Sequence, residues 1–106
     1  MISAHDKRIA QYYKTRLEKL TPLIRMLVYG SRARGNALPD SDLDIFIEAP
    51  SVSPELRRKI SELAWEIGYK NNIVISTFVV TPKSLNESPI GANPILKAIE
   101  NEGIAV

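Results

Sequence analysis

The sequence predicts an α+β fold, a small mixed β-sheet with helices packed mainly on one side. Two apolar runs, residues 23–29 and 43–48, are separated by a polar stretch containing glycine and proline. The most economical arrangement for them is an antiparallel pair. A helical pattern at residues 54–67 lies between the second run and a third, residues 73–80. Strand, helix, strand in that order gives a right-handed crossover with parallel strands. Both kinds of pairing therefore meet in one sheet.

Taken in order, residues 4–20 are charged and strongly helix-forming, with Ile9, Tyr13, Leu17 and Leu20 recurring on one face. Thr21-Pro22 ends this helix, because proline lacks a backbone N–H and disfavours a helical residue before it. Tyr12 lies beside the apolar face and reads most plainly as core. The run at 23–29 is a short buried strand that delivers Gly30-Ser31 at its end, and residues 36–41, with Pro39-Asp40-Ser41, have turn composition. Ser53-Pro54-Glu55 is a helix start, with Ser53 as N-cap and Pro54 at the first helical position. Leu56, Ile60, Leu63, Ala64 and Ile67 follow at the spacing of one buried face, ending near Gly68. Trp65 falls beside that face, where core packing is favoured over an exposed contact. Asn71-Asn72 leads into the third run, which is apolar and β-branched. Residues 81–93 are rich in Pro, Ser, Asn and Gly and read as a long surface loop. Asn93-Pro94 caps and opens a last helix with Ile95, Leu96 and Ile99 facing inward and Gly103 as its stop. Residues 104–106 add a short terminal strand.

A chain of 106 residues allows one domain, residues 1–106, with a modest core. Hydrophobic residues at 44% and charged ones at 25% argue against disorder. The absence of cysteine excludes a disulfide framework, a thiol nucleophile and a cysteine zinc site. His5 is the only histidine, which excludes a multi-histidine metal site, and its place near the N-terminus reads as a solvated side chain. A net charge of +2 gives no strong nucleic-acid signal. No apolar run approaches the roughly 20 residues needed to span a bilayer, and the N-terminus lacks the apolar core of a signal peptide. The expected location is cytoplasmic, and homo-oligomers are left open.

The chemistry is concentrated in residues 28–47. Asp42 and Asp44 are expected on one strand, where alternation projects both from the same face while Leu43, Ile45 and Ile47 project from the other. Two like charges side by side repel, so the pair is tolerated most easily with a cation between the carboxylates, and oxygen-only ligands suit Mg²⁺. Gly30 lets a phosphate approach the backbone, Ser31 offers a hydroxyl, and the N–H groups of the following turn can point at an anion. Arg32 and Arg34 are suited to bidentate phosphate contact. Asp40 belongs to the turn, and Gly35 is needed for its backbone conformation. An anion site facing a metal site is what a nucleoside triphosphate requires.

These residues carry a resemblance. Gly30-Ser31, ten intervening residues and Asp42-x-Asp44, with Ala33-Arg34-Gly35 and Ser41-Asp42-Leu43-Asp44 inside the run, resemble the signature of the DNA polymerase β-like nucleotidyltransferase superfamily. A chain this short looks most like the minimal nucleotidyltransferases of bacteria and archaea, often encoded beside a HEPN-domain protein. The resemblance implies the nucleotidyltransferase fold, Asp42 and Asp44 as metal-binding and catalytic residues for Mg²⁺, and Gly30, Ser31, Arg32 and Arg34 at the nucleotide. It implies ATP or another nucleoside triphosphate as substrate and transfer of a nucleoside monophosphate, AMP in the case of ATP, to a hydroxyl. A tyrosine of a HEPN toxin encoded nearby is the implied acceptor, which makes the chain an antitoxin. Active superfamily members usually add a third carboxylate from the third strand. Here that strand holds no Asp or Glu, and its polar candidates Asn72 and Ser76 cannot act as a carboxylate base. Glu48 lies six residues, roughly 20 Å, from Asp42 along its own strand. A second reading therefore stands beside the first: a catalytically weak or inactive antitoxin-like module that neutralises a HEPN partner by binding. A third, modification of a small molecule such as an aminoglycoside, resembles larger relatives with a separate substrate domain, for which this chain has no room.

Overall fold

The computed structural model describes residues 1–87 and 93–106. Their elements are α1 (Ala4–Leu17), β1 (Arg25–Tyr29), α2 (Gly30–Arg34), β2 (Leu43–Glu48), α3 (Pro54–Lys70), β3 (Ile75–Val80), α4 (Pro82–Glu87), α5 (Pro94–Glu102) and β4 (Ile104–Ala105). The strands form one sheet in the order β3-β2-β1-β4. β1 pairs antiparallel with β2 and with β4, and β2 pairs parallel with β3. The sheet is mixed, and the α3 crossover joins parallel strands as its sequence order requires.

Alternation along the strands divides the buried residues into two sets. Met26, Val28, Leu43, Ile45, Ile47 and Ile75 face α1 and α3 and form the larger core with Ile9, Tyr13, Leu17, Ile60, Leu63 and Ile67. Phe46, Val80 and Ile99 form a smaller cluster with Leu27, Tyr29, Phe78, Leu85 and Leu96 on the opposite face, under α4 and α5. Asp44 precedes Phe46 by two residues and shares this second face. The two longest helices thus lie behind the sheet, and Asp44 stands on the other face beside the cluster under α4 and α5.

Helix ends follow local chemistry. Ser53 Oγ accepts from the Leu56 N–H at 3.0 Å and Asn93 Oδ1 from Ile95 at 2.9 Å. Helix α1 stops at Leu17 rather than reaching Leu20, which is half-exposed. Helix α3 continues through Gly68 to Lys70, and Asn72, at φ 55°, turns the chain into β3. Residues 82–87, expected as loop, form α4, because Thr81 and Ser84 cap one another through Ser84 N–H to Thr81 Oγ1 and Thr81 N–H to Ser84 Oγ. The rest of that expected loop, residues 88–92, lies outside the described residues.

Besides Leu20, three apolar side chains expected inside are outside. Trp65 is 70% exposed and stacks on Tyr69 with ring centroids 5.3 Å apart, while Tyr12 and Ile95 are also exposed. The buried stripe of α3 is filled by Ile60, Leu63, Ala64, Ile67 and Gly68, which leaves no room for an indole beside it. Tyr13 behaves differently. Its buried hydroxyl donates to the Ile60 carbonyl at 2.9 Å, tying α1 to α3, and burial pushes its phenol above the usual range. Tyr13→Phe is expected to cost about 1 kcal/mol, read from urea unfolding, since packing is kept and one buried hydrogen bond is lost.

Candidate active site

Gly30, Ser31, Asp42 and Asp44 meet at one end of the sheet, where β1 runs directly into α2 and β2 begins. The sequence predicts a strand ending in Gly30-Ser31 and then a turn through Arg32, Ala33, Arg34 and Gly35; Gly30 and Ser31 instead open this short helix, and Gly35 caps it. Gly30 has φ 78°, and a Cβ there would collide with the Asp44 carboxylate, so both backbone and space demand glycine. Gly35, at φ 81°, closes α2 with its N–H on the Ser31 carbonyl. Tyr29 stands at the N-cap and makes no side-chain capping bond, so the first N–H groups of α2 are not satisfied by a cap. Gly30→Ala is expected to destabilise the fold by about 1–3 kcal/mol and to displace the Asp44 carboxylate. A urea titration and the Asp44 side-chain NMR signal would check it.

Asp44 is the second residue of β2 and half-buried; Asp42 is exposed and precedes the strand, whereas the sequence reading placed both within it. The strand starts at Leu43, whose N–H donates to the Val74 carbonyl. The two carboxylates still feel one another. Burial raises the Asp44 pKa first, the Asp42 charge raises it further, and Arg34 pulls it back. Tyr29 sits opposite Asp44 in the β1–β2 register, and burial, then the Asp44 charge, raise its phenol.

The sign for stability follows. A carboxyl whose folded pKa lies above its unfolded value favours the fold at low pH, and that contribution is lost as pH rises through the folded pKa. Ionised Asp44 therefore destabilises the metal-free fold at neutral pH. Asp44→Asn is expected to raise the thermal midpoint at pH 7 without metal, with the gain shrinking at pH values below the ordinary carboxylate range. Differential scanning calorimetry at both pH values would check this, and an unchanged midpoint at pH 7 would count against strain in the pair.

The arginines part company. The Arg32 side chain is 12% exposed; its Nη1 donates to both carboxylate oxygens of Asp6 at 3.1 Å, its Nε to the Ser41 carbonyl at 2.8 Å, and its Nη2 to the Pro39 carbonyl at 3.0 Å. Its guanidinium is turned to the protein, not into the space before Asp44. Arg34 is more exposed and makes a two-oxygen contact with Glu102 of α5 at 3.0 and 3.2 Å. It is the arginine close enough to act on the Asp44 charge.

The β2–β3 register places Ser76 opposite Asp44. That is where an additional strand carboxylate would stand beside the pair, and among the described residues no three His, Cys, Asp or Glu side chains gather as a metal site. Glu48 is buried and held by Arg25 at 2.7 Å, away from this end. Asp40 is exposed in the turn. A separate groove of about 570 Å³ opens between the 39–41 turn, Trp65, Tyr69 and Val74, and neither Asp42 nor Asp44 lines it. Asp6, Tyr29 and Glu102 have no signal in the sequence as site neighbours. Of the two polar candidates the third run offers, Ser76 is the one opposite Asp44.

Several solved structures share this fold. A protein described as a minimal nucleotidyltransferase superposes with a TM-score of 0.60 at 22% identity, covering 94% of this chain and 91% of its own. A toxin-antitoxin structure with AMP-PNP gives 0.57 at 17% identity, covering 90% and 70%. A Shewanella oneidensis structure of a tri-AMPylated HEPN toxin in complex with MNT antitoxin gives 0.56 at 16% identity, covering 94% and 70%. Comparison with curated proteins returns no significant match. The sequence model of the nucleotidyltransferase domain matches residues 10–106, nearly the whole length, and the chain belongs to that family.

Proposed function

We propose that residues 1–106 form a single minimal nucleotidyltransferase domain that transfers AMP from ATP to a hydroxyl of a protein partner, a tyrosine of a HEPN toxin encoded nearby, and so acts as its antitoxin. The observation that carries this reading is the half-buried Asp44, strained by Asp42 and set against Gly30-Ser31. A divalent cation fits that pair. It offsets the burial and the Asp42 repulsion that together raise Asp44, and the donors are hard oxygens that suit Mg²⁺. Asp42 and Asp44 would hold it; when bound, it supplies charge neutralisation for the triphosphate.

The chain's own groups supply the rest. The Ser31 hydroxyl and the uncapped N–H groups of α2 hold phosphate oxygens, and Gly30 keeps the backbone low enough for them to approach. Arg34 exchanges Glu102 for phosphate and balances charge as pyrophosphate leaves. Arg32 serves the site from behind, through the loop it holds. The acceptor oxygen forms a bond to the α-phosphorus, the bond from that phosphorus to the bridging oxygen breaks, and the acceptor proton passes to water. No carboxylate at position 76 receives it.

Ser76 also supports the second reading, in which the chain neutralises its partner by binding alone. Among the described residues no helix is long and apolar enough to cross a membrane, and we propose a cytoplasmic location. The test incubates the protein with labelled ATP and Mg²⁺, with and without the neighbouring gene's product, followed by mass spectrometry of both chains. An added mass of AMP on a partner tyrosine is the expected result. A stable complex without label would leave binding as the function.

A further inference from the structure

The strongest connection into the site from outside the signature comes from α1. Asp6 is 4% exposed, and its backbone N–H is capped by Ser3 Oγ at 3.0 Å, which anchors it in the first turn of the helix. Its two oxygens receive Arg32 Nη1 at equal distances. The other edges of the same guanidinium grip the carbonyls of Pro39 and Ser41, and Ser41 Oγ and N–H close the turn on Leu38. Asp42 is the next residue. A guanidinium is a rigid planar fork, so fixing one edge on Asp6 fixes the direction of the others. A buried carboxylate is costly unless paired, and such a pair adds little net stability over an apolar replacement. What this one supplies is an orientation.

We propose that Asp6 is a positioning residue for the metal and nucleotide site, acting through Arg32 and Ser41 to set the approach of Asp42 to Asp44. Exposed His5, with Nδ1 3.6 Å from Asp6, is the other basic group facing that carboxylate. The inference rests on the reading of Asp42 and Asp44 as metal carboxylates.

The test measures affinity for Mn²⁺ with AMP-PNP by isothermal titration calorimetry on the full chain. Asp6→Asn is expected to weaken binding by about tenfold, as loss of an outer-shell partner does. On an Asp42→Asn background the same change is expected to have no further effect, because its route to the metal is already cut; a merely structural role would weaken both backgrounds alike. Arg25→Gln, which breaks the Arg25–Glu48 pair elsewhere, serves as the control and is expected to bind normally. If Asp6→Asn does not fold, Asp6→Glu keeps the charge and shifts it by one methylene. Displaced Ser41 and Asp42 amide resonances with weakened binding are then expected. Wild-type affinity in a folded Asp6 variant, or equal losses on both backgrounds, would overturn the proposal while the functional reading stands. If Asp42→Asn/Asp44→Asn binds Mn²⁺ and AMP-PNP as wild type does, the functional reading falls and this inference with it.

Discussion

If the proposed function holds, replacing Asp42 and Asp44 together by asparagine is expected to lower AMP transfer to the proposed HEPN partner by at least about 10³-fold while leaving the complex with that partner intact. The magnitude follows from what the carboxylates do. In the proposed role, their loss would remove several kcal/mol of stabilisation from the charge spread over the triphosphate and the departing pyrophosphate, and each 1.4 kcal/mol is about tenfold in rate. The substitution is nearly isosteric and removes a repulsion from the metal-free fold, so loss of activity is not loss of structure. Transfer is read with labelled ATP, complex formation by size-exclusion chromatography, and neutralisation by growth of cells expressing the toxin. Growth rescue that survives the double substitution would show that binding, not transfer, neutralises the partner.

Ser76→Asp carries the second large effect, in the opposite direction. The substitution is expected to raise the transfer rate by about 10²-fold, the lower end of what a positioned base contributes. Ser76 and Asp44 are register partners on adjacent strands, about 4.8 Å apart at the backbone, and both lie on the face away from the large core. A carboxylate at 76 would stand beside the pair and could accept the acceptor's proton. It would also add a third negative charge, so the metal-free thermal midpoint should fall and Mg²⁺ should restore more of it than in wild type. Single-turnover transfer at saturating Mg²⁺ reads the rate. No acceleration, with normal nucleotide affinity, would mean that proton removal does not limit the reaction in this chain.

Much of the architecture is legible in the sequence. Alternation in the run from Leu43 to Glu48, the caps at Ser53 and Asn93 and the stop at Gly103 are local signals, and the elements form where those signals put them. Boundaries slipped where competing chemistry decided them. The Thr81–Ser84 pair built α4 in a stretch whose Pro, Ser and Asn content reads as loop, and α1 ended a turn early. Trp65 misled because a helix stripe is wide enough to admit a neighbour. Only the volume already occupied by Ile60, Ala64 and Ile67 decides that the indole stays out.

By itself the sequence determined the family and the candidate chemistry, because a glycine, a serine and two aspartates at set spacing lie on one short stretch that an antiparallel strand pair folds back on itself. The tertiary structure decided what the other charges do. Arg32 meets Asp6 from 26 residues away, and Arg34 meets Glu102 from 68. Ser76 faces Asp44 only through the parallel register that the α3 crossover sets. Periodicity and motif spacing report on neighbours along the chain, whereas the partner of a long charged side chain depends on which distant elements pack beside it.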